Sequence, residues 1–92
     1  MESPRIVVTI SGADKIGIVA TFTNALANLG VNIEDIRQTT MQNQFVMLLL
    51  GNISKSEKTF AQIKDSLIET GKNINMEVWV QRKDIFDKMH TV

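Results

Sequence analysis

A short run of charged and small residues lies between a β-branched segment and an amphipathic one. Asp14, Lys15, Ile16, Gly17 and Ile18 place an acid, a base and a glycine where a helix is expected to begin. The first turn of a helix leaves backbone N–H groups unpaired and attracts carboxylates and phosphates. Because glycine has no Cβ, a ligand would reach these donors without a clash. Asp14 would accept from the ammonium group of an amino acid, and Lys15 would add positive charge.

A purely structural explanation of the same residues stays open. In that explanation Asp14 caps the helix, Gly17 adopts a strained φ angle, and Lys15 is solvated. Two further polar residues, Asn32 and Gln38, lie along the next predicted strand. Each offers a donor and an acceptor to a ligand, although Asn32 also suits a turn and either residue alone is typical of a surface.

The sequence predicts no enzymatic chemistry, no cofactor and no metal site. The single histidine, His90, has no nucleophile or ligand partner near it in the sequence. Glu34 and Asp35 would point to opposite faces of a strand and would not chelate one ion easily. The chain also has no phosphate-binding loop and no hydrolase or metalloprotease motif.

Composition predicts a soluble cytoplasmic domain. The chain has 92 residues, of which ten are basic and ten acidic, so the formal net charge is zero and nucleic acid is not an expected partner. Cysteine is absent, in weak agreement with a reducing cytosol. The beginning of the sequence does not resemble a signal peptide. The longest strongly apolar run, residues 45–50, is too short to cross a membrane, and no membrane association is expected.

Hydrophobic periodicity predicts two helices. An apolar stripe over residues 17–29 predicts the first helix, which Gly30 would end in a left-handed conformation. Ser54 and Glu57 fit a capping box before the second helix, which Gly71 would stop. A last short helix would be capped by Asp84.

Four strands are predicted around these helices. They cover Ile6–Ile10, residues 32–41 with a bulge near Glu34 and Asp35, Gln44–Leu50 after a tight turn at Gln42 and Asn43, and Ile74–Gln81. The order is β-α-β-β-α-β. Right-handed crossovers then give an α+β, ferredoxin-like sandwich: a four-stranded antiparallel sheet, strands one and three central, two helices on one face and a short C-terminal helix.

The third strand is apolar on both faces, although the two main helices would cover only one of them. An apolar face of that size is expected to be covered, most simply by a second copy of the chain. Trp79 alternates with Val78 and Val80, so it would point away from the helices. We therefore predict a homodimer and consider Trp79 either part of its interface or a partly exposed aromatic at the sheet edge.

Two sequence blocks together resemble the ACT domain, a small regulatory module that binds amino acids. The blocks are G-A-D-K-I-G-I-V-A and L-A-N-L-G-V-N-I-E-D-I-R-Q, and the resemblance covers about residues 5–81. Ile16 stands where many members of the family have proline. The chain is most similar to the branch in the glycine cleavage system repressor and formyltetrahydrofolate deformylase, and its closing segment resembles the short stand-alone UPF0237 proteins of bacteria.

The resemblance implies one domain over residues 1–92, with a core over about 5–81 and a helical tail over about 82–92. It also implies a homodimer that binds a small molecule, commonly an amino acid, between its subunits and signals to a partner protein that the sequence does not name. The ligand-binding residues it implies are Asp14, Lys15, Ile16, Gly17, Ile18, Asn32, Ile33 and Gln38. Two alternatives stay open: a purely structural dimerisation unit without a ligand, and RNA binding, which the scarcity of aromatic residues on strands one and three disfavours.

Overall fold

The chain folds as the predicted ferredoxin-like α+β sandwich. The computed structural model describes residues 4–90, and its antiparallel sheet has the order β2-β3-β1-β4, with β1 and β3 central. The elements are β1 (Arg5–Ala13), α1 (Ile18–Asn28), β2 (Asn32–Met41), β3 (Gln44–Asn52), α2 (Phe60–Asn73), β4 (Glu77–Arg82) and α3 (Lys83–Met89). Within residues 4–90, no helix is both long and apolar enough to span a bilayer.

The core lies between the sheet and the two long helices. Alternate residues of the central strands face α1 and α2, because successive side chains of a strand point to opposite faces. Burying each of these large apolar side chains contributes about 1.5–3 kcal/mol relative to leaving it exposed. The largest fully buried side chains are Ile6, Val8, Ile10, Phe22, Leu26, Met47, Leu49, Ile63 and Leu67.

Helix α1 ends as predicted, at a left-handed glycine. Gly30 has φ +76°, and its N–H donates to the Ala27 carbonyl at 3.0 Å. The N–H of Val31 donates to the Leu26 carbonyl at 2.9 Å. These two bonds form a Schellman motif, which satisfies carbonyls at the end of the helix.

The tight turn predicted between β2 and β3 is also confirmed. Gln42 and Asn43 both have positive φ angles, +51° and +68°, as a two-residue type I′ turn requires. The register of β2 against β3 shifts between Ile33 and Asp35, which places a bulge at Glu34. The bulge changes the direction in which the side chains of the first residues of β2 point, relative to the rest of the strand.

Two predictions about helix α2 are wrong. The capping box is formed by Thr59 and Gln62 rather than by Ser54 and Glu57: the Thr59 side chain accepts from the Gln62 N–H, and the Gln62 side chain accepts from the Thr59 N–H. Helix α2 therefore begins later than predicted, and the residues around Ser54 belong to the connection from β3.

Gly71 does not stop α2 either, since it lies inside the helix and is buried. The helix ends in a second Schellman motif, with Asn75 at φ +58° and the Met76 N–H bonded to the Gly71 carbonyl at 2.8 Å. Because this motif uses residues 74–76, β4 begins at Glu77 and not at Ile74.

The start of α3 differs from its prediction for a similar reason. Arg82 is the N-terminal cap residue, and Asp84 lies in the first turn without capping the helix. Arg82 is held at the end of β4 by pairing with Ile6, and its guanidinium lies 4.4 Å from the centre of the Phe60 ring. The chain therefore turns into α3 directly after the strand.

The sheet face opposite α1 and α2 is not fully open, contrary to the prediction, because α3 packs over one end of it. Phe86 shares a small apolar groove with Val7 and Leu50. Val7 is only 6% exposed, although it points away from α1 and α2. The tail of the chain thus covers part of an apolar face that we expected a second copy to cover.

The rest of that face remains exposed. Leu48 is 36% exposed and Trp79 is 51% exposed, and both are paired with Thr9 across the sheet. Trp79 points outward, as its alternation with Val78 and Val80 predicts. Its part in a dimer interface remains a prediction.

Candidate functional site

A cleft lies beside the start of α1, at the edge of the sheet formed by β2. Its volume is about 470 Å³. It lies between the first turn of α1, the β1–α1 connection and the second half of β2. The residues that line it are Asp14, Lys15, Gly17, Ile18, Val19, Ala20, Gln38, Thr39, Thr40 and Phe45.

Gly17 is the N-terminal cap residue of α1 and adopts a left-handed conformation, with φ +87° and ψ +5°. The structural explanation of this glycine is therefore correct about the backbone, because only glycine takes up such a φ angle without strain. Apart from Gly17 itself and its two neighbours in the chain, no heavy atom would lie within 4 Å of an added Cβ. The position is open as well as strained, and it lines the cleft.

The start of α1 has no side-chain cap. The N–H of Thr21 donates to the Gly17 carbonyl at 2.9 Å and makes the first bond of the helix. The N–H groups of Ile18, Val19 and Ala20 precede that bond, and these residues line the cleft. Such amide donors, with the positive end of the helix dipole behind them, favour an anionic group.

The two charged residues before Gly17 do not behave as the structural explanation supposed. The side chain of Asp14 does not cap α1, and its backbone N–H donates to the Asn43 carbonyl at 2.8 Å. Lys15 is not merely solvated, since its Nζ donates to the Ile74 carbonyl at 2.6 Å. These bonds fix the β1–α1 connection against the hairpin on one side and against the end of α2 on the other.

The structure brings five of the eight predicted ligand residues to this cleft: Asp14, Lys15, Gly17, Ile18 and Gln38. Ile16 does not line it, and its side chain is fully exposed. Asn32 lies at the other end of β2, where it pairs with Asn52. It is six residues from Gln38, the nearest predicted residue that lines the cleft, and so roughly 20 Å from it by the rise of an extended strand.

A second cavity, of about 340 Å³, lies around Asn32 and is also lined by Asn52, Ser54 and Lys55. Ile33 is next to it in the chain but packs against the core. The eight predicted residues therefore form two groups at opposite ends of β2. Within one copy of the chain, the two groups do not meet.

Sequence reasoning missed residues in both cavities. Thr39 and Thr40 reach the first because the hairpin pairs them with Val46 and Phe45, a register that the turn residues Gln42 and Asn43 already imply. Lys55 was missed because we assigned its segment to a helix cap.

Charge near the second cavity is partly neutralised. Arg5 Nε lies 2.6 Å from Glu34 Oε1, and Asn52 Nδ2 donates to Glu34 Oε2 at 3.4 Å. The hydrogen bond from the Arg5 side chain lowers the pKa of the Glu34 carboxyl, and the bond from Asn52 acts in the same direction. Over residues 4–90, no three histidine, cysteine, aspartate or glutamate side chains are grouped so that they would hold a metal ion.

Comparison with known proteins identifies the fold and the family. A UPF0237 protein of Methanosarcina acetivorans is 39% identical over 92 residues, which cover all of both chains. The solved ACT domain protein from Streptococcus pneumoniae has a TM-score of 0.80 and 30% identity, over 92% of this chain and 96% of that one. A putative glycine cleavage system transcriptional repressor has a TM-score of 0.76 over 88% of this chain and 47% of its own, at 16% identity, and so shares the fold. The family model of the ACT domain matches residues 4–81, and the chain therefore belongs to the ACT domain family.

Proposed function

We propose that this chain is a non-enzymatic regulatory module that binds a small molecule, an amino acid in the simplest case. The observation that carries the proposal is the uncapped start of α1, which opens at Gly17 onto a cleft that also contains Asp14 and Gln38. Membership of the ACT domain family supports it, as does the fold shared with a protein described as a transcriptional repressor.

The cleft offers complementary groups to the two charges of an amino acid. The N–H groups at the start of α1 would bind the α-carboxylate. The exposed carboxylate of Asp14 would accept from the ammonium group, and Gln38 offers both a donor and an acceptor. Lys15 would add positive charge beside the cleft, with its Nζ positioned by the bond to the Ile74 carbonyl.

A second copy of the chain would bring the two groups of predicted residues together. Strand β2 is an edge strand, and the first cleft lies near its end while the second cavity lies at its beginning. If two β2 strands pair antiparallel around a two-fold axis, the beginning of one lies beside the end of the other. Asn32 of one copy would then approach the cleft beside Gly17 of its partner. Ligand would signal by binding one subunit arrangement more tightly than another.

The first test is a thermal-shift screen of the full chain against the twenty amino acids. At about a hundred times its dissociation constant, a ligand that binds only the folded state stabilises it by roughly 2.7 kcal/mol. In a domain of this size that corresponds to a rise in melting temperature on the order of 10 °C. If no amino acid shifts the melting temperature, the chain is a structural dimerisation unit or binds another class of ligand.

The proposed pairing of β2 strands predicts specific cross-links. The chain has no cysteine, so single cysteines can be introduced at Asp35, Arg37 and Thr39, which lie along β2 and are exposed. In a two-fold symmetric dimer, a residue close to the symmetry axis lies opposite the same residue of the partner. We therefore expect at least one of these variants to form a disulfide-linked dimer on mild oxidation. The readout is non-reducing electrophoresis.

The matched control is Leu48→Cys, at the centre of the exposed sheet face. Face-to-face packing, the arrangement that the apolar third strand first suggested, would cross-link this variant and leave the β2 variants monomeric under denaturing conditions. That result would contradict the β2 arrangement. Cross-linking of none of the four variants would contradict both arrangements.

A further inference from the structure

The connection from β3 to α2 is held firmly against the turn that follows α1. The Ser54 N–H donates to Asn52 Oδ1 at 2.9 Å, and the Ser56 N–H donates to the Ile53 carbonyl at 3.0 Å. The Ser56 hydroxyl donates to the Leu29 carbonyl, which lies beside Gly30 at the end of α1. The backbone at Lys55 is therefore held in place by the hydrogen bonds of its two serine neighbours.

The same connection also packs closely against Gly30. A Cβ at Gly30 would lie 3.3 Å from the Ser56 Cα, a tight contact, so the two backbones lie close together. This contact fixes the connection relative to the beginning of β2, where Asn32 lies. Lys55 and Asn32 consequently line the same cavity although they are far apart in the sequence.

The groups that this cavity offers favour an anion. The side chain of Asn52 already makes two hydrogen bonds within the chain: its Oδ1 accepts from the Ser54 N–H, and its Nδ2 donates to Glu34. Glu34 in turn is paired with Arg5. Among the described residues, no carboxylate is paired with Lys55, so an ammonium group and the amide of Asn32 remain for a ligand. An ammonium group and an amide donor together suit a carboxylate or a phosphate.

We propose that Lys55 is a specificity-determining residue that selects a ligand with a second anionic group. This inference rests on the proposed function, in which the cleft beside Gly17 takes the α-carboxylate and the ammonium group of an amino acid. The cavity of the partner copy, with Lys55 and Asn32, then faces the side chain of that ligand. The favoured ligands are amino acids whose side chains carry a carboxylate or a phosphate ester.

The test compares ligands with and without a side-chain anion on the full chain by isothermal titration calorimetry. Glutamate, aspartate and O-phosphoserine are each measured against their uncharged counterparts glutamine, asparagine and serine. We expect at least one acidic member to bind roughly fivefold more tightly than its counterpart, as is typical of a solvent-accessible ion pair. The ratio should fall as salt is raised, because exposed charge pairs are screened.

The Lys55→Met variant should bind the acidic ligand as weakly as the wild type binds the uncharged one, with the affinity for the uncharged ligand unchanged. Lys58→Met is the matched control, since Lys58 belongs to the same connection and does not line the cavity. Equal affinity for both members of every pair would overturn the proposal, as would a preference that survives Lys55→Met. Failure of these six compounds to bind, while another of the twenty amino acids does bind, would also overturn the proposal. Failure of all twenty amino acids in the thermal-shift screen would instead contradict the proposed function, so the two failures are distinguishable.

Discussion

Replacing Gly71 by alanine is expected to lower the free energy of unfolding by about 1–3 kcal/mol, the usual cost of overpacking a core. Helix propensity predicts the opposite sign, because alanine is favoured over glycine inside a helix by roughly 1 kcal/mol. Packing decides the result. An added Cβ would lie 2.4 Å from Val78 Cγ2 and 2.8 Å from the Met76 carbonyl oxygen. The carbonyl belongs to the backbone of the turn between α2 and β4, so it moves only if that turn shifts.

Chemical denaturation with urea measures this effect, and Glu69→Ala is the matched control. Glu69 is exposed in the same helix, so its replacement leaves the contact with β4 intact. We expect the control to change the free energy of unfolding by less than about 0.5 kcal/mol. A Gly71→Ala variant more stable than the wild type would show that the close contact with β4 does not limit the position.

Replacing Gly17 by valine is expected to abolish ligand stabilisation, a loss of about 2.7 kcal/mol at a hundredfold excess of ligand over its dissociation constant. A branched side chain at this position would project into open space beside the donors of α1, because no heavy atom lies within 4 Å of an added Cβ. It would thus block the approach of a ligand without disturbing the core. The thermal shift with the best amino acid measures the loss.

The φ angle of +87° at Gly17 adds a separate cost. A left-handed conformation is unfavourable for a residue with a side chain by roughly 1–2 kcal/mol, so the melting temperature of the ligand-free variant should also fall. Gly17→Asn separates the two effects, since asparagine tolerates this conformation better and still places a side chain in the cleft. Full ligand response in both variants would contradict the role we assign to Gly17.

The sequence by itself determined the elements that depend on local chemistry. Gly30 predicted the end of α1, and Gln42 and Asn43 predicted the hairpin, because each position needs a positive φ angle that few residues adopt. The odd spacing of Ile33 and Ile36 predicted the bulge at Glu34. Right-handed crossovers placed β1 and β3 at the centre of the sheet, in agreement with the apolar residues that both strands carry at most positions.

The other features of the fold and the site depend on contacts between residues that are distant in the chain. Gly71 was predicted to stop α2 from its residue type alone, whereas its close contact with Val78 forms only once β4 docks. The segment around Ser54 fits a capping box, but its hydrogen bonds to Asn52 and Leu29 hold it in the connection before α2. Tertiary structure also separated Asn32 from Gly17 and placed Lys55 beside Asn32. Local propensity is a property of a few neighbouring residues, whereas these contacts exist only after the sheet and helices have packed.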